Sequence, residues 1–119
     1  MIGEKTCENV HKAIAEELKS GNALHGLFNS NHEAWAVLRE ECEEVADEFT
    51  LFSNARKEAM QKLWEHVKND TATWENGGHL IDLKSAALDL LYECVQVCAM
   101  CDKWLDKLEK ERGNNGKDM

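Results

Sequence analysis

At 119 residues the chain is long enough for one core, and its formal net charge of −9 disfavours direct binding to a nucleic-acid duplex, which needs clustered Lys and Arg. It has no proline, is 43% hydrophobic and 31% charged, and holds no apolar run near the roughly 20 residues that span a bilayer, so a membrane-spanning role is excluded as well. The first residues, "MIGEKTCENVHKAI", are charged from the fourth onward and are not expected to form a signal peptide. Five cysteines, an odd number, fit a reducing cytoplasmic setting better than a disulfide scaffold.

Thr6 is placed to cap a first helix in which Val10, Ala13, Ile14 and Leu18 recur at helical spacing, with Ser20 to Asn22 as its stop. A Gly- and Asn-containing connection follows and carries His25, Phe28 and His32. Ser30 or Asn31 then caps a long second helix with Glu33 in its first turn. That helix bears Ala34, Val37, Leu38, Val45, Phe49 and Phe52 on one side and continues through Met60, Leu63, Trp64 and Val67, with a bend expected near Ser53 and Asn54. "NDTATWENGGH" reads as a loop or short turn, and a last helix is expected from about Leu80 to Glu111. Breaker-poor segments joined by short loops imply an all-α, antiparallel helical bundle over residues 1–112, with a disordered tail at 113–119. Two long helices leave wide apolar faces, which implies self-association as a homodimer or homotetramer.

Cys94, Cys98 and Cys101 follow C-x3-C-x2-C, the spacing that holds iron–sulfur clusters in radical-SAM enzymes. On a helix the three thiols spread over roughly 10 Å at 1.5 Å per residue, whereas a cubane wants ligands wrapped around it by a loop. They are expected to pack in the core as small hydrophobes, in line with Ala87, Leu90 and Leu91 before them and Leu105 and Leu108 after.

The carboxylates carry the chemistry. In "VLREECEEVADEF" Glu41 and Glu44 are one turn apart, with Glu40 one turn before Glu44, on a stripe beside the inward-facing Leu38 and Val45. Glu43, Asp47 and Glu48 read as a solvated face. Glu93, flanked by apolar residues and preceded one turn earlier by Asp89, is a lone acid that needs a partner. Carboxylates projecting from two helices of a bundle suit a hard divalent cation, Mg2+ or Mn2+.

The order "HEAWAVLREECEEVADEF", a variable middle, then "ALDLLYECVQVCAMCDKW" resembles the MazG-like, all-α nucleoside triphosphate pyrophosphohydrolases, closest to the short forms of phages and prophages. The likeness runs over roughly residues 25–108. The family's E-E-x-x-E motif matches Glu40, Glu41 and Glu44. Its later E-x-x-D motif departs here, with Ala86 three residues before Asp89 and Gln96 three after Glu93, so Glu93 is taken as the matching acid with Asp89 or Gln96 in support.

The resemblance implies hydrolysis of an NTP or dNTP to monophosphate and pyrophosphate. It further implies Mg2+ or Mn2+ held by Glu41, Glu44, Glu93 and Asp89, and an attacking water oriented by the catalytic Glu40 or Glu41. Base and phosphate contacts are sought in His25, Phe28, Asn29, His32, Trp35, Gln96 and Lys103, although Phe28 and Trp35 also suit core packing and the histidines suit the surface. The competing reading is a non-catalytic helical adaptor of phage or prophage origin, with Trp64, Trp74 and Trp104 as interface anchors.

Overall fold

The computed structural model describes residues 1–117, so the last two residues of the expected tail lie outside the described residues. Among the described residues every regular element is helical: α1 (Glu4–His25), α2 (Asn31–Lys68), a 3-10 turn at Trp74–Asn76, and α3 (Gly78–Lys117). α3 thus runs past the expected end at Glu111, because adding a residue to an existing helix is far cheaper than starting one. α2 is likewise continuous through Ser53 and Asn54, where a bend was expected.

The helix ends follow local chemistry. α1 passes through the expected stop at Ser20 to Asn22 and ends at Gly26, whose φ of 70° and ψ of −168° lie in a region open essentially to glycine alone. Ser30 caps α2, its Oγ accepting from the Glu33 amide at 3.0 Å. The other end of α2 closes in a Schellman motif: the Thr71 amide donates to the His66 carbonyl at 2.8 Å and the Asp70 amide to the Val67 carbonyl at 3.2 Å. Asp70 fills the left-handed position there, with φ 53°. At Gly77 an added Cβ would sit 2.9 Å from the Trp74 carbonyl oxygen, so the tight turn into α3 requires glycine.

The chain divides into two compact units, Met1–Cys42 with Cys94–Met119, and Glu43–Glu93. In the first, α1 packs along α3, as the hydrogen bond from Gln96 Nε2 to Glu17 Oε1 at 2.6 Å records. Trp104 Nε1 donates to Asn31 Oδ1 at 3.0 Å and ties the start of α2 to α3. Phe28, Ala34, Ala99 and Lys103 are buried in this unit.

In the second unit, α2 and α3 form an antiparallel hairpin: the His66 and His79 rings stack at 6.4 Å near its tip, and Glu44 reaches Glu93 at the far end. Half-buried or buried positions on α2 fall at Val45, Glu48, Phe52, Ala55, Ala59, Leu63 and His66, with Ser53 beside them. On α3 they fall at His79, Leu83, Ala86, Leu90 and Glu93, with Leu88 off this line. The alternation of three- and four-residue steps is that of a coiled-coil seam. Its core is thin, Ala59 alone being buried among the described residues of this unit. No helix of the described residues is long and apolar enough to cross a membrane.

Candidate functional site

Glu93 occupies a seam position of α3, one turn after Leu90, so the coil's geometry turns its carboxyl toward α2 rather than toward water. There it meets Glu44: a carboxylate oxygen of each lies within 4.8 Å of the other's. Glu41 stands one turn before Glu44 along α2 and is half-buried in the first unit. Asp89 sits off the seam, is exposed, and stays outside this acidic group. Glu40 is exposed on α2.

The electrostatics follow from the crowding. Burial pushes the Glu93 carboxyl above the ordinary carboxylate value, and a hydrogen bond with Glu44, the charge of Glu44 and the charge of Glu48 push it further the same way. Glu93 Oε2 is buried with no hydrogen-bond partner. A buried acceptor of this kind is costly unless a proton or a cation meets it. The donors in the group are all carboxylate oxygens, which fits a hard divalent ion such as Mg2+ or Mn2+.

The first unit holds a cavity of about 400 Å³ lined by residues of all three helices. Five of the candidates singled out from the sequence line it: His25, Phe28, Gln96, Lys103 and Glu41. Phe28 is packed there as a core residue. Lys103, a candidate phosphate contact, is 7% exposed, with its ammonium 4.5 Å from the centre of the Phe28 ring. A lysine takes such a position because the aromatic face attracts the cation while the aliphatic stem covers apolar surface.

Three of the other candidates lie elsewhere. Asn29 is exposed and spends its backbone and side-chain N–H groups on Glu33, each at 3.2 Å. Trp35, which suited the core, is 55% exposed, with the Arg39 guanidinium 5.5 Å from its ring. His32 is exposed at the start of α2.

Glu17 was not singled out, yet it lines the cavity and accepts from Gln96. The signal was available: Val10, Ile14, Glu17 and Gly21 step by four, three and four along α1, which puts a lone acid on an inward stripe.

The cysteines are not the small core residues expected. Cys94 and Cys101 are half-buried and Cys98 is exposed. Burial raises the Cys101 thiol above its usual value, helped by Cys98, Cys42 and Asp102. The spacing is real, but the chain covers two of the three thiols only in part and leaves Cys98 in solvent.

Set against family models, curated proteins and solved structures, the chain shows no significant match to any of them.

Proposed function

We propose that this chain is a divalent-metal-dependent nucleotide pyrophosphohydrolase that cleaves an NTP or dNTP to the monophosphate and pyrophosphate. The observation that carries the reading is the facing pair Glu44 and Glu93, from two helices, with a buried Glu93 oxygen that no protein group satisfies. The resemblance of "LREECEEVADEF" and "ALDLLYECVQV" to the MazG-like motifs supports the same chemistry.

Glu41, Glu44 and Glu93 would hold Mg2+ or Mn2+, and the ion would supply charge for the polyphosphate and acidify a bound water. Glu40 is in this reading the group that orients the attacking water, which adds to the α-phosphorus as the bond to the bridging oxygen breaks and pyrophosphate leaves. Lys103, a buried cation in a cavity that Glu41 and Gln96 also line, would in this reading meet phosphate. The same cavity offers Gln96 and His25 to a base. A homodimer or homotetramer and a cytoplasmic setting belong to this reading.

Purified protein with Mg2+ or Mn2+ is expected to release pyrophosphate from at least one common NTP or dNTP. The Glu44→Gln variant is expected to lose that release while keeping its far-UV helical signal. Wild-type protein that releases none from any of the eight common substrates under either metal defeats the enzymatic claim.

A second reading, a non-catalytic helical interaction protein, draws on Trp64 and Trp74, which are 59% and 89% exposed. It predicts an inactive protein that copurifies with a partner in fixed ratio.

A further inference from the structure

The cavity of the first unit carries two polar groups whose hydrogen bonding the chain leaves unfinished. Lys103 is 7% exposed, and its ammonium rests 4.5 Å from the centre of the Phe28 ring. Among the described residues it has no hydrogen bond and no ion pair. A buried cation in that state is costly until an acceptor oxygen from a ligand reaches it. In the nucleotide reading that oxygen belongs to a phosphate, which leaves the rest of the space, about 400 Å³ in all, to the sugar and base.

Glu17 is the second group. It reaches the cavity from α1, and Gln96 reaches it from α3. Gln96 Nε2 donates to Glu17 Oε1 at 2.6 Å, a bond that joins the two helices and holds the carboxylate in one orientation. Oε1 keeps a lone pair, and Oε2 takes no hydrogen bond among the described residues. The other carboxylates of the cavity are engaged elsewhere. Glu33 accepts from the backbone and side-chain N–H groups of Asn29, and Glu41 belongs to the proposed metal ligands.

Acceptor oxygens side by side select a ligand edge with N–H groups side by side. Uracil and thymine set their ring N–H between carbonyl oxygens, which a carboxylate repels. Adenine and cytosine set their amino group beside a bare ring nitrogen, an acceptor that it repels too. Guanine alone places a ring N–H, at N1, next to an amino group. Val37 and Met100, both half-buried, give the flat faces of the ring an apolar wall.

We infer that the substrate of the proposed reaction is a guanine nucleotide, with Glu17 accepting from N1–H and the 2-amino group and Lys103 on a phosphate. The inference rests on the nucleotide reading and adds to it the identity of the base.

Titration calorimetry of the full chain in EDTA, with each common nucleoside monophosphate in turn, tests the base site apart from any metal. GMP is expected to bind, and IMP, which lacks only the 2-amino group, to bind more weakly by about tenfold to a hundredfold. Glu17→Gln turns one acceptor into a donor. That variant is expected to lose GMP by a similar factor and to favour XMP, whose 2-oxo group accepts. The comparison of GMP with IMP uses wild-type protein, so it decides the matter even if Glu17→Gln fails to fold. Pyrophosphate release from the four common NTPs with Mg2+ completes the experiment, and GTP is expected to show the highest kcat/KM. Equal affinity for GMP and IMP, or another NTP cleaved as well as GTP, overturns the guanine assignment and leaves the pyrophosphohydrolase standing. GMP bound selectively by a protein that releases no pyrophosphate keeps the assignment and defeats the hydrolase. A protein that binds no monophosphate and cleaves no triphosphate overturns both.

Discussion

Glu93 sets a half-buried carboxyl beside that of Glu44, and burial together with the charges of Glu44 and Glu48 makes it hold a proton more tightly than an ordinary carboxylate does. The sign of the resulting pH dependence is fixed. The folded chain binds that proton more tightly than the unfolded chain, so the group's stabilisation is complete below the ordinary carboxyl value of 4.5 and is lost as pH rises through the elevated folded value. In EDTA, the wild-type melting temperature is expected to fall more steeply with rising pH over that window than that of Glu93→Gln, which keeps the hydrogen-bonding shape without the charge. Thermal melts of both proteins across a pH series check this, and parallel curves would remove Glu93 from the account. At this scale the sequence was informative about type and silent about direction. It marked Glu93 as an acid among apolar neighbours and passed over Glu17, whose stripe carries the same signature. It also left open whether Lys103 and Trp35 face in or out, since a residue near the edge of an apolar arc is turned by the neighbouring helix and not by its own period.

Single elements are set by their ends. α2 closes on Asp70 in the left-handed region, a position where glycine has no steric penalty and aspartate does. Asp70→Gly is therefore expected to raise stability by about 0.5–1 kcal/mol, less the extra entropy that glycine gives the unfolded chain. Chemical denaturation of the two proteins measures it, and a destabilised variant would mean that the Asp70 side chain contributes something the backbone geometry does not record. The extents of α1 and α3 show why helix boundaries were the least legible part. "SGN" looks like a stop, yet neither Ser, Gly nor Asn forbids a helix, and α1 continues to the one glycine whose dihedrals do end it, Gly26. By contrast, the start of α2 was legible to within one residue, as Ser30 or Asn31, and the Glu33 amide selects Ser30 by donating to its Oγ.

For the whole molecule, the net charge of −9 and the close approach of Glu44 to Glu93 act in the same direction: both are self-repulsion that a bound cation would relieve. Millimolar Mg2+ is expected to raise the melting temperature of the wild type, by the equivalent of about 2.7 kcal/mol at a hundred times the dissociation constant. Glu44→Gln is expected to abolish most of the rise. Na+ at matched ionic strength is the control, and an equal effect of the two salts would show screening in place of a bound ion.

The sequence by itself determined that this chain is helical: without proline, and with apolar residues at three- and four-residue steps, no other regular structure lets it bury them. It also determined which acids stand one turn apart, because that is a property of the helix alone. Only tertiary structure decided which side of each helix is covered, and so turned Glu93 toward Glu44, left Asp89 in solvent, buried Lys103 over Phe28 and left Cys98 exposed between the half-buried Cys94 and Cys101. The reason is that α3 carries two apolar arcs of the same period, and periodicity states how residues are spaced without stating which arc meets a neighbour.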